Sequence, residues 1–400
     1  MVAEENQQKV SALEVFLVFL RLGLTSFGGP IAHIGYFRDE FVSRRRWLSE
    51  NSYADLVALC QFLPGPASSQ VGLALGLSRA GYRGALAAWL GFTLPSALAL
   101  ILLAVGIYGF AEGTVASGLL SGLKVVAVAV VAQAVWGMAK NLCPDTPRLT
   151  LMAVATCLVL LLPSVYAQVG VIVATGIVGL IVFKPAVGNF ADDWQVPVTR
   201  GAGAFWLGLF FFLLLALPIL LNLFPSHTLA LIDSFYRAGA LVFGGGHVVL
   251  PLLQAEVVPP GWVPEDMFLA GYGAAQAVPG PLFTFAAFLG ASMTQPPTAL
   301  LGGLICLLAI FTPSFLLIAG ALPFWQQLRA STRMQSALMG INAGVVGLLL
   351  AALYDPVWTS AIVGAKEFAM ALVALIALMA WKIPPWLVVI ATALTGLILA

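Results

Sequence analysis

Two arginines each stand six residues ahead of a Phe-Gly-Gly triplet: Arg21 in RLGLTSFGGP and Arg237 in RAGALVFGGG. Both lie inside apolar runs, where a charge costs about 2.5–3.5 kcal/mol on insertion scales, so each needs a cavity or a partner. A guanidinium presents a planar fork of donors that suits the oxygens of a tetrahedral oxyanion dianion. The alternatives are snorkelling to the interface or a structural ion pair, with Glu14 or Asp233 as partner. The glycines that follow, Gly28, Gly29, Gly244 and Gly245, can turn backbone N–H groups toward a ligand. A helix starting just after them presents its positive end. Close helix packing is the other use of such glycines.

A second pair of apolar segments is interrupted in the same way, at QFLPGPASSQ from Gln61 and QAVPGPLFTF from Gln276. Pro64 and Pro66, and again Pro279 and Pro281, break the helical ladder, while Gly65 and Gly280 permit a turn. The freed amides, the hydroxyls of Ser68, Ser69 and Thr284, and the carboxamides of Gln61 and Gln276 become candidate donors to an anion. A plain kink is the alternative. Lys124, in SGLKVVAVAV, is a further candidate cation where the second copy has Asn342. His33 and His247 lie near the glycine breaks without aligning, and either can titrate near neutral pH. Glu40 and Glu256 align but sit at segment ends, as weaker proton carriers. The dispersed histidines, with neither CxxC nor HExxH, give no metal or cofactor site, and there is no P-loop for ATP hydrolysis. These absences count against an intramembrane enzyme. The four cysteines read as packing residues.

The elements that must hold these residues follow from composition. The chain has 400 residues, 61% hydrophobic and 9% charged, with a mean hydropathy of +1.01. Soluble domains carry about 25% charged residues, and apolar stretches of about 20 residues recur here along the whole length. The expected class is an all-α polytopic membrane protein with the lipid bilayer as its surroundings. The net charge of +1 gives no sign of a nucleic-acid partner. The polar, acidic start does not look like a signal peptide.

The motifs also repeat in order. R-x-G-x-x-x-F-G-G recurs at an offset of 216 residues, as does Glu40 at Glu256. Trp47 matches Trp262 and one PGP matches the other at 215, and LPS from Leu94 later pairs with TPS from Thr312. The reading is a tandem duplication: an N-terminal transport repeat over 1–200, a linking transmembrane segment over 201–226 and a C-terminal repeat over 227–400. Thirteen hydrophobic segments are expected in all. If all of them span, SRRRW falls on the wrong face for the positive-inside rule. If the motif-bearing segments dip in and return, every loop Lys and Arg except Lys366 falls on one face. Either count places an odd number of crossings between the copies, which inverts the second repeat. Inverted-topology repeats with broken or re-entrant helices carrying the FGG and PGP motifs are the pattern of secondary transporters.

FGGP, QFLPGP and their copies FGGGH and QAVPGP resemble the chromate ion transporter family, in its long, two-domain form. The resemblance covers nearly the whole chain. It implies a multi-pass protein of the cell membrane that exports chromate, driven by the proton motive force, and so confers chromate resistance. Sulfate is the natural structural analogue, and the residues themselves do not separate the two dianions. A sulfate-type permease running inward and an anion channel are the alternatives. A homodimer is expected only because such carriers are commonly dimeric.

Overall fold

The computed structural model describes residues 10–109, 114–185 and 198–399, which contain helices and no strands. The first half runs α1 (Ala12–Thr25), α2 (Gly29–Arg38), α3 (Glu50–Phe62), α4 (Ala67–Gly109), α5 (Thr114–Leu142), α6 (Thr146–Leu161) and α7 (Val165–Val182). A linking helix, α8 (Arg200–Leu223), follows. The second half runs α9 (His227–Leu241), α10 (Val249–Val257), α11 (Glu265–Ala275), α12 (Phe285–Ala291), α13 (Ala299–Ala321) and α14 (Trp325–Ala330). It ends with α15 (Thr332–Ala352), α16 (Thr359–Ala361), α17 (Ala365–Met379) and α18 (Pro385–Leu399).

The motifs are where helices stop. α1 ends at Thr25 and α2 begins at Gly29, while α3 ends at Phe62 and α4 begins at Ala67. The second half breaks at the corresponding places, after α9 and after α11. The motif glycines all have positive φ: Gly28 99°, Gly29 76°, Gly65 122°, Gly244 74°, Gly245 139° and Gly280 102°. A side chain disfavours that backbone region, which accounts for glycine at each break.

Six helical stretches among the described residues are long and apolar enough to cross a membrane. The shortfall from thirteen segments arises partly because a broken segment yields two short helices, and partly because α6, α17 and α18 are unbroken but have only 16, 15 and 15 residues. The longest stretch, Ala67–Ile107, is itself two arms. Ala80 and Gly81 leave helical geometry, and the backbones of Gly76 and Gly84 touch. Eight residues along a straight helix would be about 12 Å apart, so the chain folds back here. α12 and α13 form the matching hairpin, with Gly290 against Gly302.

The halves exchange their last helices. Gly122 of α5 meets the backbone of Thr392 and Gly396 on α18, and Gly340 of α15 meets that of Thr175 and Gly179 on α7. These positions match at offsets of 217 and 218, so one contact is made twice, each time across the halves. Glycine lets the backbones approach closely, which matters where lipid leaves little hydrophobic drive between helices. α8 lies outside this exchange and exposes Phe205, Phe211, Phe212 and Leu215.

Candidate functional site

The four breaks converge. The amide of Gly65, in the first PGP, donates to the carbonyl of Val242, just before the second FGG, at 2.7 Å. The amide of Gly280, in the second PGP, donates to the carbonyl of Ser26, just before the first FGG, at 3.0 Å. Ser26 and Val242 are equivalent at the 216-residue offset, so the same bond is made twice with the halves swapped. A Cβ on Gly246 would lie 3.5 Å from Cγ of its own equivalent, Pro30. The FGG turns therefore meet each other as well. Each PGP glycine also faces a serine of the other half, Gly65 opposite Ser314 and Gly280 opposite Ser96. Ser314 lies about two-thirds of the way along α13 and Ser96 about halfway along the 82–109 arm of α4, which places the junction within the helical layer.

The junction holds unpaired backbone donors. The carbonyls of Ser26, Pro64 and Val242 are occupied, Pro64 by Nε2 of Gln70 at 2.7 Å. The amides of Phe27, Gly28, Phe243, Gly244 and Gly245 have no acceptor among the described residues. α2 and α4 begin here, and a helix start presents unpaired N–H groups and a positive dipole end. Several fully buried polar atoms also lack partners: Oγ of Ser26, Ser69 and Ser314, Oγ1 of Thr93, Oε1 of Gln70 and Nε2 of Gln276. Buried polar atoms are normally satisfied, so this concentration points to a ligand or water. The polarity is one-sided. The first half places Ser68, Ser69 and Gln70 after PGP, whereas the second places Phe283, Thr284 and Phe285, and Thr284 spends its hydroxyl on the Pro281 carbonyl at 2.8 Å.

His33 is buried beside this cluster. Its Nε2 is 3.2 Å from the Ser26 carbonyl, its Nδ1 is 3.4 Å from Ser68 Oγ, and its ring packs edge-on to Phe92. A carbonyl only accepts, so Nε2 carries the proton, and in neutral His33 the Nδ1 accepts a hydrogen bond from the Ser68 hydroxyl. His247 instead pairs its Nδ1 with the Tyr272 hydroxyl at 2.7 Å. Gln61 is exposed and Gln276 half-buried.

The two motif arginines differ. Arg237 is paired with Asp233 and, at 3.4 Å, with Glu256, whose other oxygen accepts from Ser234 at 2.7 Å. In the first half Glu40 is taken by Arg45 at 2.7 Å and Arg44 at 3.1 Å, and the position equivalent to Asp233 is Leu17. Arg21 is exposed and has no ion pair among the described residues. Lys124 lies elsewhere, 2.7 Å from Asp266, about 15 Å along α11 from Gln276.

Ser26, Gln70, Thr93, Ser96 and Ser314 are the junction residues that motif reading passed over. For Ser96 and Ser314 a signal was present: the LPS and TPS repeats end on them.

The chromate transporter family model matches this chain over residues 13–180 and 229–397. The chain is 28% identical over 358 residues to a chromate transport protein of Pseudomonas aeruginosa, covering 86% of this chain and 80% of that one. A probable chromate transport protein of Synechococcus elongatus is 28% identical over 404 residues, covering 95% and 93%. An uncharacterised transporter of Bacillus subtilis is 36% identical over 118 residues, which make up 29% of this chain and 66% of that much shorter one. No solved structure matches. With helices crossing the membrane several times and a family match over most of its length, the chain belongs to the chromate transporter family.

Proposed function

We propose that this protein is a secondary transporter that exports chromate, a tetrahedral oxyanion dianion, across the cell membrane, and that the junction of the four breaks is its binding site. The observation that carries this reading is the cluster of unpaired donors there. The carbonyls of Ser26 and Val242 are occupied by the other half, while amides at the glycine turns and the buried hydroxyls of Ser26, Ser69 and Ser314 are unspent. An acceptor-rich anion can take hydrogen bonds from these amides and hydroxyls. Arg21 adds positive charge from the α1 face, whereas Arg237 is balanced by two carboxylates and belongs to the frame. The exchange of helices and the reciprocal PGP-to-FGG bonds support two repeats of inverted topology rocking about this site. His33 is the proton-coupling group. Protonation at Nδ1 removes the acceptor that Ser68 uses, so the hydroxyl must turn, and anion binding and proton binding become linked.

The test is chromate uptake into energised everted membrane vesicles, with and without excess sulfate. Accumulation that collapses with a protonophore and is blocked by sulfate is the expected result. Uptake no greater than in vesicles lacking the protein, with the protein present in the membrane, refutes chromate export.

A further inference from the structure

The two halves hold equivalent helices in different surroundings. α11 is buried from Met267 to Ala275, and Gly273 lies so close to the Leu123 carbonyl of α5 that no side chain would fit. Its counterpart α3 exposes Asn51, Ala54, Ala58 and Gln61, a spacing that falls on one helical face. α3 also makes no comparable packing with α15, the counterpart of α5. The equivalents of Ala54 and Ala58 are Leu269 and Gly273, both buried. The α3 face does not resemble the surfaces that meet lipid, which on α8 are Phe211, Phe212, Leu215 and Ile219. Small and polar residues at membrane depth belong against water or protein.

The ion pairs divide in the same way. Lys124 Nζ is 2.7 Å from Asp266 Oδ1 and 3.5 Å from the Ser360 carbonyl, tying α5 to the start of α11. The equivalent residues in the other half, Asn342 and Asn51, are uncharged. On the opposite face Asp55 of α3 is held by Arg329 of α14, 2.6 Å from both carboxylate oxygens, and the equivalent of Asp55 is Ala270. Each tie exists on one face only.

We infer that the exposed α3 stripe is the path by which the anion reaches the junction from the arginine-rich face, and that the Lys124–Asp266 pair locks the opposite path shut. In the other state α3 docks Ala54 and Ala58 on α15 near Ile341, the equivalent of Leu123, and α11 leaves α5. The small side chains of α3 permit that close approach, as Gly273 does on α11. The arginine-rich face, with Arg38, Arg44 and Arg46 exposed, is cytoplasmic by the positive-inside rule. This inference rests on the junction being a transport site, but not on which ion is carried.

Thiol labelling tests it without substrate. In the full-length chain with the exposed Cys157 replaced by serine, the remaining cysteines Cys60, Cys143 and Cys306 are buried. A58C should react with a membrane-impermeant maleimide from the cytoplasmic side alone. Adding K124Q, or D266N as an independent way of opening the lock, should shift the ratio of outward to inward labelling by about 1.4- to 5-fold, the range for a partly exposed ion pair, with A58C labelling falling. Q276C labelling from the outside should rise in parallel. An A58C that reacts from neither side, or lock variants that leave both positions unchanged, overturns the inference. A labelling shift without chromate uptake would refute the substrate and leave the gate.

Discussion

Replacing Gly65 by alanine tests the junction most directly. Gly65 has φ of 122°, a region that side chains avoid, at a cost of about 1–3 kcal/mol. The new Cβ would also lie 2.7 Å from Ser314 Oγ and 2.7 Å from Gln70 Nε2. Overpacking of that kind costs about 1–3 kcal/mol, so G65A should lose roughly 2–6 kcal/mol against a typical total of about 5–15 kcal/mol. Removing the hydroxyl separates the two contributions. G65A/S314A should recover the part of the overlap cost that the hydroxyl causes, leaving the Gln70 overlap and all of the backbone cost. The equivalent substitution behaves differently, because a Cβ on Gly280 meets Ser96 Oγ at 2.8 Å and the Phe92 carbonyl at 3.0 Å. A backbone carbonyl cannot be trimmed, so S96A should rescue G280A less well than S314A rescues G65A. Thermal unfolding of the purified protein in detergent reads all four variants. Wild-type melting of G65A, or equal rescue in the two halves, would refute the argument that these glycines are placed by the opposite half.

The arginines should part company. R237Q leaves Asp233 and Glu256, with side chains 4% and 11% exposed, without their partner, and should destabilise the fold by about 3–5 kcal/mol. R21Q breaks no ion pair and should fold normally while raising the KM for anion uptake, so equal melting of the two variants would contradict this division. S69A and S314A remove unpartnered buried hydroxyls, so their melting should change little while uptake affinity falls, as competition with sulfate would reveal. H33Q keeps a donor for the Ser26 carbonyl but cannot titrate. Counterflow exchange of chromate should therefore survive in H33Q while accumulation driven by a pH gradient is lost, and undiminished accumulation would clear His33 of that role.

Composition and the ordered repeats carried much of the architecture: a helical membrane protein in two similar halves, with breaks at FGG and PGP. Those breaks were legible because glycine and proline act locally, through φ and a missing N–H, wherever the rest of the chain lies. Segment positions were legible for a related reason, since an apolar run of given length has few other ways to be satisfied. The fold-back at Ala80–Gly81 rests on one glycine with positive φ, and the sequence offered it only as a short polar gap between segments.

Partners were another matter. Arg21 and Arg237 read alike in sequence, yet one is exposed and the other is held by Asp233 and Glu256. The difference lies in residue 17 against residue 233, and in Arg44 and Arg45 taking the first glutamate. Lys124 read as a cation near the anion site and turned out to face Asp266, which is distant in the chain. The buried hydroxyls of Ser26 and Ser314 look like ordinary helix serines until the opposite half is brought against them. By itself, then, the sequence determined where the backbone breaks, how often the pattern recurs and that the elements lie in lipid, because these depend on local sterics and hydropathy, and it offered Asp233 as one possible partner of Arg237. Tertiary structure alone decided which breaks meet and which donors stay free, because those depend on contacts between residues some two hundred positions apart, and it chose among the charge partners that the sequence left open.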